Sequence, residues 1–164
     1  MSEVWILNAS PVILFARIDA LDIISKLADA VVPDAVIDEI RAGEPEDPSA
    51  HLGLAFAEKR RVSNVAIPPS IAHWDLGSGE SQVISHAILS SAWAVLDDLA
   101  GRRCAKAHQI PVIGSLGIIL RARRKDLIGT AAPWIRKLKA AGMYIDDHLV
   151  RTVLATLGEA SEKA

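Results

Sequence analysis

Short apolar runs alternate with longer segments of helical periodicity along the chain, and this alternation limits the fold more than any other feature of the sequence. The apolar runs are continuous, as is typical of strands that are covered on both faces. Such strands belong to parallel sheets, whose connections are crossover helices. We therefore predict an α/β fold with three layers, in which helices cover both faces of a central, mostly parallel sheet of about four to five strands.

The predicted elements follow from where the apolar runs begin and end. Strands are predicted at residues 4–7, 31–32, 62–67, 93–96 and 111–113. Apolar residues recur at helical spacing over residues 14–24, which predicts a helix there with Ser10 as its N-cap. A polar stretch with two prolines, residues 44–49, is predicted to be a surface loop. Residues 76–79 contain two glycines and are predicted to form a flexible turn before the next helix.

Length and composition favour a single cytoplasmic domain. The 164 residues fit one domain, predicted as residues 1–164. Cys104 is the only cysteine, which excludes an internal disulfide and a cysteine-based zinc cluster and favours a reducing compartment. The sequence shows no signal peptide and no apolar run long enough to span a bilayer, so no membrane partner is expected. The formal net charge of −2 means that any contact with RNA must come from a local basic patch.

Polar and acidic residues lie at the predicted carboxyl ends of two strands. Asn8 follows the first strand, and Asp97 and Asp98 follow the fourth. In open parallel sheets, ligands bind outside these strand ends. Two helices predicted to begin on the same side add Glu39 and Glu80, and Glu80 lies near a helix N-terminus, where an ionised carboxylate is favoured. We therefore expect the five side chains to lie near one another.

A cluster of carboxylates opposes folding unless protons or a cation neutralise it. At about 4 Å and an effective dielectric constant near 20, each like-charge pair costs roughly 4 kcal/mol. Oxygen ligands select hard cations, so Mg²⁺ or Mn²⁺ is the expected cofactor. An ion held in this way suits metal-assisted hydrolysis of a phosphodiester. The plainer alternative is that each carboxylate is an ordinary turn or helix-cap residue.

Seven short segments together carry a resemblance to a known family. They are residues 7–13 (LNASPVI), 36–40 (VIDEI), 76–81 (LGSGES), 95–98 (VLDD), 102–105 (RRCA), 112–117 (VIGSLG) and 142–147 (GMYIDD). In this order they resemble PIN domains, and the last segment, with residues 157–159 (LGE), is similar to the tail of a poorly characterised prokaryotic branch of that family. The segments cover nearly the whole chain, so the resemblance implies a PIN-like fold throughout.

The resemblance also implies a function and a set of site residues. PIN domains are Mg²⁺- or Mn²⁺-dependent ribonucleases, and many are toxins that a small antitoxin protein neutralises. By resemblance, Glu39, Glu80 and Asp98 are catalytic and bind the metal. Asp97 is a neighbour or a substitute in both roles. The family's usual first aspartate falls on Asn8, whose amide oxygen can bind a metal but brings no charge, so weaker metal binding and reduced cleavage are expected.

Contacts to RNA are expected from three residues near the acidic cluster. Arg102 and Arg103 follow Asp98 by about one helical turn and are expected to face a phosphate. Ser10, close to the end of the first strand, is the third expected contact. The alternative for the two arginines is a solvated position on the helix surface.

Three functions compete at this point. The first is a PIN-type ribonuclease, the toxin of a toxin–antitoxin pair, with RNA and a small antitoxin as partners and a homodimer as a further possibility. The second is a catalytically weak or inactive module that binds RNA or protein, because Asn8 stands at the first acidic position. The third is a receiver-like signalling domain, which is disfavoured because that fold needs its acidic pair early in the chain, where this sequence has Asn8 and Ala9.

Overall fold

The computed structural model describes residues 2–159 and confirms the predicted α/β architecture. A five-stranded, all-parallel sheet lies between two layers of helices. The strands, in chain order, are β1 Val4–Leu7, β2 Asp29–Pro33, β3 Arg61–Val62, β4 Trp93–Val95 and β5 Val112–Ile113. They are arranged in the order β3-β2-β1-β4-β5. The domain predicted over residues 1–164 extends beyond the described residues at both ends.

Ten α-helices connect and cover the strands within the described part of the chain. They are α1 Ala9–Arg17, α2 Leu21–Leu27, α3 Asp34–Gly43, α4 Ala50–Glu58, α5 Pro69–Ala72, α6 Ser78–Ser90, α7 Leu99–Ala107, α8 Ser115–Arg124, α9 Ala132–Ala140 and α10 Asp147–Thr156. A short 3-10 helix, Glu44–Glu46, lies in the segment predicted as a loop. None of the helices within residues 2–159 combines the length and the apolar character that crossing a membrane requires.

The central strand β1 sets the position of everything around it. Its residues Trp5, Ile6 and Leu7 are almost completely buried, which contributes roughly 1.5–3 kcal/mol for each large apolar side chain. β1 pairs in parallel with β2 on one side and with β4 on the other. The chain runs from β1 outward through β2 to β3 and then crosses back to β4 on the other side of β1, and this reversal opens a crevice at the carboxyl ends of β1 and β4.

The helical periodicity of residues 14–24 covers two helices and not one, so that prediction was wrong. Asp19 has a left-handed backbone with φ of 54°. The N–H of Ala20 donates to the carbonyl oxygen of Phe15 (2.8 Å), a bond typical of a Schellman helix end. Ser10 is likewise not the N-cap, because α1 begins at Ala9 and Asn8 occupies the capping position.

The predicted strand at residues 62–67 was also too long, because β3 is only Arg61–Val62. Side chains of α6 satisfy the backbone of the following residues in place of a neighbouring strand. The amide of Gln82 accepts from the N–H of Val65 and donates to its carbonyl oxygen, both at 2.8 Å. A ring nitrogen of His86 lies 2.8 Å from the carbonyl oxygen of Ser63. The apolar run alone could not reveal this side-chain pairing.

Candidate active site

Asn8 lies at the carboxyl end of the central strand, where the crevice opens. Its N–H donates to the carbonyl oxygen of Val95 (3.1 Å), which fixes the end of β1 against the end of β4. The two strands are parallel, so Asp97 and Asp98, which follow β4, reach the same edge of the sheet as Asn8. The sequence prediction that these strand ends meet is therefore confirmed.

The side chain of Asn8 is buried and only partly satisfied. It is 3% exposed, and its Nδ2 donates to Oε1 of Glu80 in a long contact of 3.4 Å. Its Oδ1 is buried and has no hydrogen-bond partner among residues 2–159. An unsatisfied buried oxygen costs about 1–3 kcal/mol. This oxygen is therefore the atom of the crevice that most needs a donor or a cation from outside the protein.

The helices α3 and α6 pack together and bring Glu39 and Glu80 to the same crevice. The N–H of Gly79 donates to Oε1 of Glu39 (3.0 Å). A Cβ at Gly79 would lie 2.6 Å from that same oxygen, and a Cβ at Gly77 would lie 2.5 Å from Oε2 of Glu80. Neither glycine has a positive φ, and Gly79 lies in the first turn of α6, so what both contribute at the site is room for the two carboxylates.

The Glu39 carboxyl holds its proton more tightly than an ordinary glutamate. Partial withdrawal from water is the largest cause that raises the pKa of Glu39, although the residue as a whole is exposed. The N–H of Gly79 lowers the pKa of Glu39, and the negative charge of Glu80 raises it. The net effect is a raised pKa, caused first by burial and to a smaller extent by the negative charge of Glu80.

Asp97 is held by the start of α8. Its Oδ1 accepts from the N–H of Ser115 (2.7 Å), and its Oδ2 accepts from the Ser115 hydroxyl (2.6 Å). Ser115 is completely buried, which makes this contact rigid. The Ser10 hydroxyl donates a third, longer bond to Oδ2 (3.3 Å). Asp97 thus joins the ends of β4 and β5, and sequence reasoning missed Ser115 as its partner because the two are distant along the chain.

Asp98 serves as the N-cap of α7. Its Oδ2 accepts from the N–H of Gly101 (2.8 Å), as a capping aspartate should. The residue is exposed and borders the crevice beside Leu99. A Cβ at Gly101 would lie 3.6 Å from both Oδ2 of Asp98 and Cγ of Glu80. Both distances are ordinary van der Waals contacts, so Gly101 lies between these two side chains but its missing Cβ is not required there.

These residues line one cleft with a volume of about 780 Å³. The predicted metal and catalytic residues all border it, namely Asn8, Glu39, Glu80, Asp97 and Asp98. Within residues 2–159, no three Asp, Glu, His or Cys side chains converge closely enough to enclose a metal ion alone. A metal site here would therefore depend on the Asn8 amide oxygen and on water ligands.

The residues expected to contact RNA are dispersed. Ser10 lines the cleft. Arg102 is half-buried, and its Nη1 donates to the carbonyl oxygen of Leu96 (3.3 Å). Arg103 is exposed on α7. Among the residues that the structure covers, neither arginine borders the cleft, and their contact with RNA stays a prediction.

The cleft is also lined by residues that sequence reasoning did not assign to the site. Arg17 of α1 donates from Nε to Oδ2 of Asp47 (2.7 Å) and from Nη1 to the carbonyl oxygen of Ala141 (2.8 Å). Met143 and Tyr144, which follow α9, also line the cleft. The signal in the sequence for Met143 and Tyr144 was their place in residues 142–147, the segment similar to the tail of a branch of the PIN family.

Comparisons with known proteins agree with this architecture. A family model described as a PIN domain matches residues 4–159. The fold is similar to a crystal structure of PAE2754 from Pyrobaculum aerophilum, with 14% identity, a TM-score of 0.52, and coverage of 74% of this chain and 97% of that one. A domain of a functionally unknown protein from Methanocaldococcus jannaschii is 18% identical, with a TM-score of 0.46 and coverage of 69% and 91%. No curated protein matches the chain.

Proposed function

The chain belongs to the PIN-domain family, and from this premise we propose that it is a Mg²⁺- or Mn²⁺-dependent endoribonuclease. The observation that carries the proposal is the buried Oδ1 of Asn8, which has no partner within the described residues and lies beside Glu80 at the carboxyl end of the central strand. An oxygen in this position is suited to a cation or to a water molecule held by one.

The donor set of the cleft fits a hard divalent ion. Asn8, Glu39 and Glu80 supply oxygen atoms from an amide and two carboxylates. Mg²⁺ prefers oxygen ligands and keeps several waters, which agrees with a site that has few protein ligands. A bound ion would supply an activated water and stabilise negative charge on the phosphodiester. We assign Asn8, Glu39 and Glu80 as the primary ligands, with Asp98 as an outer one.

The other residues of the cleft position these ligands. The N–H of Gly79 orients the Glu39 carboxylate, and the absence of a side chain at Gly77 leaves room for that of Glu80. Both carboxylate oxygens of Asp97 accept hydrogen bonds from Ser115, so we assign Asp97 to holding the strand ends together and not to metal binding. Burial is the first cause that raises the pKa of Glu39 and the negative charge of Glu80 is a smaller one, and a bound cation would offset that charge.

Cleavage of single-stranded RNA in Mn²⁺ tests the proposal. We expect Glu80→Gln and Glu39→Gln to lower the cleavage rate by about two orders of magnitude or more, because each removes charge that a bound ion needs. Both variants should also bind Mn²⁺ more weakly in calorimetry. Asp38→Asn is the matched control, since Asp38 directly precedes Glu39 and its side chain is 69% exposed. Full Mn²⁺-dependent cleavage by Glu80→Gln would contradict the proposal.

A second candidate is a module that binds RNA or protein without cleaving it. Two observations favour it: the neutral amide of Asn8, and the engagement of both Asp97 oxygens by Ser115. Cleavage that is absent from the wild-type chain and from Glu80→Gln alike, with RNA binding retained in both, would support this candidate over the enzyme.

We extend the enzyme proposal to a toxin that a small antitoxin protein neutralises, and the support is the family membership. Inducing the wild-type gene should then slow growth of the host, whereas the Glu80→Gln gene should not. Co-expression with a small neighbouring gene product should restore growth and yield a complex on purification. A homodimer is a further proposal, which light scattering of the purified chain would test. Unimpaired growth with intact RNA cleavage in vitro would separate the toxin role from the enzyme.

A further inference from the structure

The cleft is much larger than a metal ion needs. Six oxygen ligands of about 30 Å³ each occupy about 180 Å³. The cleft has a volume of about 780 Å³, so most of it remains for part of a larger ligand. Sites of this size typically hold a group as large as a nucleotide.

Part of the remaining lining of the cleft is apolar, and two of its large side chains are exposed. The large apolar or aromatic residues among those that line the cleft are Ile13, Leu14, Leu99, Met143 and Tyr144. Leu99 is 61% exposed and Tyr144 is 90% exposed. Large apolar side chains left open to solvent beside a polar site are typical of a binding surface.

The backbone on both sides of Tyr144 is anchored, although its ring is free. The N–H of Met143 donates to the carbonyl oxygen of Leu138 (3.0 Å), which ties the segment to α9. Ile145 is 6% exposed and packs in the core. The Asp146 carboxylate accepts two N–H groups from the first turn of α10. The ring is therefore presented from a fixed position, which lowers the entropy lost when a ligand binds it.

Tyr144, like Met143, lines both the cleft and a second cavity of about 560 Å³. That cavity contains Lys139 and Arg151, but also Asp146 and Asp147. Nζ of Lys139 lies 2.6 Å from Oδ1 of Asp147. Because the cationic and anionic side chains balance there, a nucleic acid strand that continued from the cleft would gain little from phosphate contacts. The ring of Tyr144 is the group in its path that could bind it.

We propose that Tyr144 is a stacking platform for an unpaired base of the RNA strand whose phosphate enters the cleft. This inference rests on the proposed ribonuclease function. A base within a duplex has both faces covered, whereas an unpaired base can stack on an aromatic ring. Stacking does not depend on net charge, so it suits a chain with a formal charge of −2.

The test is binding of a single-stranded RNA oligonucleotide that carries 2-aminopurine, measured by fluorescence quenching. The full chain is used with Ca²⁺ in place of Mn²⁺, and a gel verifies that the RNA stays intact. We expect wild-type protein and Tyr144→Phe to quench the probe, and Tyr144→Leu to bind roughly tenfold more weakly. The ratio of the dissociation constants of Tyr144→Leu and wild type should change little with salt concentration. The matching duplex should bind weakly to both. Leu89→Ala is the control, since Leu89 is 69% exposed on α6 away from both cavities.

Equal binding of the single strand by wild-type protein and Tyr144→Leu would overturn the inference, as would equal binding of single strand and duplex. Binding of an apolar peptide by a protein that binds no RNA would also overturn the inference. Mn²⁺-dependent cleavage measured in parallel separates the two proposals. If the wild-type protein cleaves RNA and Tyr144→Leu binds RNA as tightly as wild type, only the stacking role is wrong. If binding of RNA depends on the Tyr144 ring but no cleavage is seen, only the ribonuclease proposal is wrong.

Discussion

The side chain of Asn8 decides how much negative charge the cleft can offer to a cation. It occupies the end of the central strand, where a carboxylate would lie beside Glu80 at about the distance of the present 3.4 Å contact. Two carboxylates so close would repel each other strongly in the metal-free protein. The neutral amide avoids that repulsion and leaves Glu39 and Glu80 as the charged groups among the three primary ligands that we assign. A carboxylate in place of this amide should therefore lower the stability of the metal-free protein and raise its affinity for a metal ion.

Asn8→Asp tests this balance at a single residue. Without metal we expect a lower melting temperature, because a like-charge pair at about 4 Å costs roughly 4 kcal/mol at an effective dielectric constant near 20. With Mn²⁺ we expect tighter binding in calorimetry and recovery of the lost stability. Asn64→Asp is the control, because Oδ1 of Asn64 accepts from the N–H of Ala35 outside the cleft and aspartate can keep that bond. Unchanged Mn²⁺ affinity in Asn8→Asp would place residue 8 outside the metal site.

At the scale of elements, the two aspartates after β4 illustrate how neighbours in sequence acquire different structural tasks. Asp97 turns toward the start of α8, where Ser115 holds both of its oxygens. Asp98 turns toward the start of α7 and caps it through the N–H of Gly101. The plainer interpretation of a strand-end acid as a helix cap therefore holds for Asp98, alongside any metal role, whereas Asp97 binds the first residue of α8 without being its N-cap. The two roles of Asp98 can be separated, because capping needs only an oxygen and metal binding benefits from charge.

Substitutions at Asp98 separate capping from metal binding. Asp98→Ala should lower the free energy of unfolding by about 1 kcal/mol, since no oxygen remains to cap α7. Asp98→Asn should lower it much less, because asparagine caps a helix about as well as aspartate. If Asp98 is an outer metal ligand, both variants should weaken Mn²⁺ binding to a similar extent. Chemical denaturation and calorimetry provide the two measurements, and unchanged Mn²⁺ affinity in both would leave Asp98 as a cap alone.

At the scale of the whole molecule, Arg17, which lines the cleft, joins three segments of the chain. It links α1 to Asp47 in the loop before α4 and to the carbonyl oxygen of Ala141 after α9. The hydroxyl of Ser49 and then Arg17 hold the pKa of Asp47 below its usual range. A depressed folded-state pKa stabilises the fold above the unfolded pKa of about 3.9, and this contribution is lost as the pH falls through the folded value.

Asp47→Asn should therefore lower the melting temperature near neutral pH, and the difference from wild type should shrink in acid, below about pH 4. Thermal melts from pH 3 to pH 7 measure this dependence. Asp22→Asn is the control, because the pair of Asp22 with Lys26 is exposed on α2 and contributes little. A difference that stays constant across this pH range would show that Asp47 acts by a route other than its ionisation.

The sequence by itself determined the α/β class, the approximate position of the strands and the acidic residues that reach one edge of the sheet. These features depend on apolar runs and periodicity, which are local properties of a chain. Only the tertiary structure decided that β3 ends at Val62, that Asp97 belongs to Ser115, and that Tyr144 reaches the cleft. Such contacts join residues far apart along the chain, and they form because packing of the sheet and helices brings together groups whose local sequence carries no sign of a partner.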